Sequence, residues 1–142
     1  MNYSDRIKKW DDINLDDTVS FTKTMTETDV ITWVGLTGDL NPIHIDREYS
    51  KNTQFGDILV PGVLVLGLIS TIMTQLTFGN VYANQKIKFT KPVFIGDTIT
   101  ATGTVIEKNA ERRLVKIETK CTNQKGEIVM IGDGTIYIMK EE

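Results

Sequence analysis

Apolar and polar residues alternate from Thr18 to Met25, with Val19, Phe21 and Met25 on one parity of a threonine-rich run. Period two in β-branched company predicts a strand. The spacing then widens: Val30, Ile31, Trp33 and Val34 recur at helical intervals, which predicts a helix turning these side chains inward. Thr26-Glu27-Thr28-Asp29 marks its start, with Thr26 or Thr28 as cap and acids in the first turn, and Gly38 marks its end. A polar stretch follows, with a short helix or turn over Arg47–Lys51 and a loop from Asn52 to Asp57. From Pro61 to Leu76 the chain is apolar nearly all round, which predicts a helix at the centre of the fold. Pro61 suits a first turn, where its missing N–H has no intrahelical partner. Gly62 and Gly67 let backbone or ligand approach closely, and Phe78-Gly79-Asn80 closes the helix.

Beyond it the pattern is strand-like. Val81–Lys91 places Ile87 and Phe89 on one face, and Thr98–Lys108 alternates through Ile99, Ala101 and Val105. Leu114–Thr122 and Ile128–Met139 follow, joined by the hairpin signal Asn123-Gln124-Lys125-Gly126. Gly132-Asp133-Gly134 in the last run predicts a bulge or bend. One strand, helical pieces, then four antiparallel strands is an α+β order, in which a sheet covers the apolar helix.

Composition changes this picture little. A chain of 142 residues suits one domain over 1–142, with residues 1–17 a loose arm or short edge element anchored by Trp10, Ile13 and Leu15. No charged residue occurs from Ile58 to Gln85, which invites a membrane reading. Pro61-Gly62 and the later run of Ser70, Thr71, Thr74, Gln75 and Thr77 argue against it. A net charge of -3 and pI near 5.2 give no attraction to nucleic acid or anionic membrane. The one cysteine excludes an internal disulfide, and the N-terminus lacks the apolar core of a signal peptide, so cytoplasm is the expected compartment.

Chemistry concentrates in Thr37-Gly38-Asp39-Leu40-Asn41-Pro42-Ile43-His44-Ile45-Asp46, which holds the only histidine. Gly38 tolerates positive φ and Pro42 pushes Asn41 toward extended backbone, so the segment is irregular. Asp39 and His44 converge only if the backbone turns between them. Taken alone, the pair reads first as an Asx-turn at Asp39 and a satisfied histidine at a loop exit. Asn41 before proline ties its own turn, and Asp46 suits a helix cap.

The whole segment resembles the signature of the MaoC-like, (R)-specific enoyl-CoA hydratases, Ser/Thr-Gly-Asp-x-Asn-Pro-Leu/Ile-His-x-Asp. The resemblance runs from about Thr18 to Ile138 and includes Val60-Pro61-Gly62-Val63-Leu64 and Ile87-Lys88-Phe89-Thr90-Lys91-Pro92-Val93-Phe94-Ile95-Gly96-Asp97. It implies a hot-dog fold, a curved antiparallel sheet around a long central helix, in domains that typically pair as homodimers and so cover exposed sheet edges. It implies reversible hydration of trans-2-enoyl-CoA to (R)-3-hydroxyacyl-CoA, without cofactor or metal. Asp39 and His44 are then the catalytic pair holding one water, with Asp39 the leading base and Asn41 fixing both. The helix N-terminus at Gly62 suits the thioester oxygen as it gains charge, although Gly62 has a second reading as a residue that merely permits close packing. The family's usual Val-His-Gly is Val60-Pro61-Gly62 here, which removes an imidazole and one donor.

Met73, Leu64, Leu66 and Leu68 are expected in the core, and Cys121 shares a buried face with Val115 and Ile117. Lys86, Lys88, Lys91, Arg112 and Arg113 are candidates for coenzyme A phosphates, with solvated charge the stronger reading of any single one. No glycine-rich nucleotide motif is present. An acyl-carrier-protein substrate would make the same pair a dehydratase; a thioesterase of the same fold usually lacks this spacing. A non-catalytic acyl-CoA-binding module would be marked by loss of Asp39 or His44.

Overall fold

The computed structural model describes residues 6–140. Its strands are β1 (Thr18–Thr24), β2 (Val81–Phe89), β3 (Thr98–Asn109), β4 (Leu114–Thr122) and β5 (Ile128–Tyr137). They form one antiparallel sheet in the order β1-β3-β4-β5-β2. The helices are α1 (Glu27–Thr37), α2 (Pro42–Ile45), α3 (Arg47–Lys51) and α4 (Gly62–Leu76). The long helix α4 packs on β1, β2, β3 and β4. This is the helix-on-sheet arrangement expected of a hot-dog fold.

Alternation fixes which sheet face meets α4. In β3, Ile99, Ala101 and Val105 are fully buried, and in β4 Val115, Ile117 and Cys121 are as well. Thr18, Thr22 and Thr24 of β1 point away from the core and bond across to Thr104, Thr100 and Thr98 of β3. Burial pushes the Cys121 thiol up to about 12. On α4 the buried set Val65, Leu68, Ile69, Ile72, Met73 and Leu76 makes one stripe at helical spacing. The opposite side is more open than its apolarity predicts, with Val63 half-exposed. Leu64 and Leu66 are partly buried against the core. Among the described residues no helix is long and apolar enough to cross a membrane.

Several expectations need correction. Ile31 is exposed on α1, where only Val30 and Val34 are buried. Gly67 faces open space and brings nothing close. The pair Gly132 and Gly134 makes no bulge: β2 and β5 stay in register through both, and the irregularities lie between Tyr82 and Asn84 and between Cys121 and Thr122. Close approach is their reason. A Cβ on Gly132 would overlap the Lys86 carbonyl oxygen and lie 3.0 Å from the Ile87 Cα, and one on Gly134 would meet the Gln85 side chain.

The segment from residue 6 to 17 is no loose arm. Trp10–Asp12 forms a 3-10 turn, and Ile13 is buried. Lys108 reaches from β3 to donate to the carbonyls of Trp10 and Ile13 while lying 4.6 Å from the centre of the Trp10 ring. Leu15 is exposed and anchors nothing. Residues 1–5 lie outside the described residues.

Candidate active site

Helix α1 delivers the chain to the site. Thr26 caps it by accepting from the Asp29 N–H at 3.2 Å, while the Asp29 carboxylate accepts from the Thr26 N–H at 2.8 Å. Burial raises the Asp29 carboxyl, but Lys23 at 2.9 Å and the Thr26 bonds outweigh it, so its pKa lies below the ordinary value. At the far end Gly38 takes a left-handed φ of 75°, donates to the Val34 carbonyl, and turns the chain out of the helix.

The next residues hold one another. Thr37 Oγ1 accepts from the Asp39 N–H at 3.3 Å, and Asp39 Oδ1 accepts from the Asn41 N–H at 3.3 Å. Asn41 Oδ1 accepts from the Ile43 N–H at 3.2 Å and so caps α2, with Pro42 at its first position. Asp46 then caps α3, accepting from the Tyr49 N–H at 3.0 Å. The motif is therefore a relay of side-chain caps, with the Asn41 side chain bonded within its own turn.

His44 sits on α2, half-buried, with Nδ1 2.7 Å from the Leu59 carbonyl oxygen. A carbonyl only accepts, so Nδ1 carries a hydrogen, and in the neutral ring Nε2 is then the acceptor. Leu59 also donates its N–H to the Ile43 carbonyl at 3.1 Å, and the buried Ser50 hydroxyl donates to the same oxygen at 3.3 Å. One residue on, Val60 donates to the Val93 carbonyl at 2.8 Å. This short extended segment locks the imidazole to the start of α4, because Pro61 and Gly62 follow directly.

His44 and Gly62 line one cavity of about 410 Å³, walled largely by apolar side chains including Phe55, Phe89, Val129 and Met130. The core leucines do not reach it; α4 contributes Gly62, Val63 and Val65. Pro61 is the N-cap and its carbonyl accepts from Leu64 and Val65. The Gly62 N–H belongs to the first turn, where no intrahelical acceptor exists. Asp39 is exposed on the turn before α2 and is not among the residues lining this cavity. The structure thus brings His44 and Gly62 together and leaves Asp39 five residues back along the same turn.

The reverse side of His44 borders a charged hollow, where Arg47 bridges Glu27 at 2.9 Å and Asp57 at 3.1 Å. Lys91 lies at the first cavity and pairs with Glu127; that ammonium and Asn123 hold the Glu127 carboxyl below its ordinary range. Arg113 donates to the carbonyls of Ile138 and Met139 and stacks 5.4 Å from the Trp10 ring centre, which gives it a structural task. Among the described residues no three His, Cys, Asp or Glu side chains form a group that could hold a metal ion. Sequence reasoning missed the Leu59 carbonyl and the Ser50 hydroxyl; the first is backbone and leaves no residue signal. It also missed the contact of Phe89 with Gly62, for which only the placement of Phe89 beside Ile87 was a hint.

The family profile described as MaoC like domain matches residues 13–126. The chain belongs to that family. It is 37% identical over 131 residues to an (R)-specific enoyl-CoA hydratase of Rhodospirillum rubrum, covering 91% of this chain and 90% of the relative. A mitochondrial 3-hydroxyacyl-[acyl-carrier-protein] dehydratase of Solanum lycopersicum is 36% identical over 118 residues, covering 82% of this chain and 72% of the relative. Among solved structures, an unliganded R-hydratase of Pseudomonas aeruginosa superposes with a TM-score of 0.86 at 29% identity, over 93% of this chain and 86% of that one. An (R)-hydratase of A. caviae superposes with a TM-score of 0.85 at 25% identity, over 89% and 98% of the two chains. This MaoC-like chain is a hot-dog protein and an enzyme of the hydratase–dehydratase type.

Proposed function

We propose that the protein hydrates trans-2-enoyl-CoA reversibly to (R)-3-hydroxyacyl-CoA. The observation that carries this is the tautomer lock: the Leu59 carbonyl fixes the hydrogen on Nδ1 of His44 beside an apolar cavity that also holds the first turn of α4. In this reading Asp39, on the turn outside the cavity lining, takes a proton from the water, and Nε2 of His44 accepts the second hydrogen and aims the oxygen at C3. The π pair moves toward the thioester, whose oxygen is held as an enolate by the Gly62 N–H and the positive end of α4. C2 then receives the proton taken from water. Oxygen and hydrogen of one water are thereby added across the double bond, and no cofactor or metal is called on.

Pro61 supplies neither the imidazole nor the donor of the family's usual histidine, so oxyanion stabilisation falls to the backbone. A homodimer, covering one of the open edges at β1 and β2, is part of this reading. Substrate choice has a second version. The similarity to the tomato dehydratase favours the same pair acting on an acyl-carrier-protein thioester, and both versions need Asp39. Asp39→Asn is therefore the test: turnover of a crotonyl thioester falls by roughly 10²–10⁴-fold, with the melting temperature little changed. Activity within threefold of wild type would remove Asp39 from the mechanism.

A further inference from the structure

We propose that Phe89 is a specificity-determining residue that narrows the cavity beside the thioester carbonyl and confines the enzyme to enoyl thioesters unbranched at C2. The inference rests on the hydratase reading and adds the substrate class. Gly62 and Phe89 touch across the cavity: a Cβ built on Gly62 would lie 2.5 Å, 2.9 Å and 2.9 Å from three carbons of the Phe89 ring. Ordinary carbon–carbon contact needs about 3.5–4.0 Å, so a methyl-sized group between ring and helix start has to displace the ring.

The ring cannot simply drift away at its root. Phe89 is the last residue of β2, paired with Met130, and Thr90 behind it donates to the Val129 carbonyl at 2.9 Å. Its outer face is free to turn, since Phe89 remains 50% exposed. With the thioester oxygen at Gly62 and C3 on the His44 side, C2 lies between them, one bond from the carbonyl carbon. A methyl on C2 projects beside that carbonyl, into the space the ring occupies. A methyl on C3 faces the water and the imidazole instead.

The test compares kcat/KM of wild type, Phe89→Leu and Phe89→Ala on crotonyl-CoA, its 2-methyl homologue and its 3-methyl homologue. One methyl group in an apolar pocket is discriminated by about 10–200-fold. The ratio of 2-methyl to unbranched substrate therefore rises at least about tenfold in Phe89→Ala, with Phe89→Leu between, while the 3-methyl ratio stays put. A 2-methyl ratio within twofold of wild type, or both ratios rising together, overturns the proposal. Failure of wild type to consume crotonyl-CoA, a longer trans-2-enoyl-CoA and the corresponding acyl-carrier-protein thioester overturns the hydratase reading and this one with it. The contact itself is read without turnover. Gly62→Ala displaces the ring, so Phe89→Leu raises the melting temperature more, or lowers it less, in the Gly62→Ala background than in wild type. The same change in both backgrounds overturns the contact.

Discussion

Replacing His44 by alanine separates what the residue does for the fold from what it does for chemistry. The structural loss is one half-buried hydrogen bond, Nδ1–H to the Leu59 carbonyl at 2.7 Å. Such a bond contributes about 1 kcal/mol net, or roughly 2–8 °C in melting temperature for a domain of this size. The Ile43 carbonyl keeps both its donors, Leu59 N–H and Ser50 Oγ–H, so α2 stays attached to the extended segment. The chemical loss is larger. A group that orients and shares a proton with the attacking water contributes roughly 10²–10⁴-fold, which at about 1.36 kcal/mol per decade is about 2.7–5.5 kcal/mol. Loss of the enoyl-thioester absorbance measures turnover, and a thermal melt on the same preparation measures folding. The expected result is a rate down at least about a hundredfold with a melt down by a few degrees. Activity within tenfold of wild type, or a loss matching the unfolded fraction, would refute the assignment.

Three further outcomes follow from the packing and the titrating groups. Gly132→Ala forces β2 and β5 apart, because the new Cβ overlaps backbone of Lys86 and Ile87 rather than a yielding side chain; denaturant melts show a loss of about 1–3 kcal/mol or more. The Cys121 thiol, raised by burial from 9.0 to about 12, is neutral in the fold, so its contribution is complete below about pH 9 and is lost as pH rises toward 12. Tyr82, raised by burial from 10.0 to about 12, acts in the same direction from about pH 10, and a thiol reagent labels Cys121 only after unfolding. Asp29 runs the other way: its lowered carboxyl stabilises α1 above its ordinary value of 3.8 and ceases to as pH falls through the depressed one. Asp29→Asn accordingly flattens the acid limb of the stability profile, which melts between pH 2 and 6 would show.

Much of this was readable from residue pattern. Strand alternation located β3 and β4 because their buried faces leave a period of two, and Leu114–Thr122 was placed to the residue; β1 alternates only between exposed and half-buried positions, and β5 buries the neighbours Val129 and Met130. The caps Thr26 and Asp46 were legible too, as short polar side chains where helices begin; α2 over Pro42–Ile45, capped by Asn41, was not, because Gly38 and Pro42 made the whole motif read as irregular. Gly132 and Gly134 were visible as exceptions but not in their reason, because a bulge and a close backbone approach demand the same residue. Ile31 shows a different limit: α1 has apolar residues on two sides, and only its packing partners decide which side is buried. In the site, His44 and Gly62 were found by motif. Their connection through Leu59 was not, because the bond uses a backbone carbonyl that any residue would offer.

The most direct measurement is incubation of the wild-type protein with crotonyl-CoA and a longer trans-2-enoyl-CoA, with chiral analysis of the product. The account predicts loss of the conjugated thioester absorbance and formation of (R)-3-hydroxyacyl-CoA with no free thiol. Formation of the S product would contradict the placement of water relative to the Gly62 carbonyl site. No consumption of these substrates or of the corresponding acyl-carrier-protein thioester would contradict the hydratase chemistry itself.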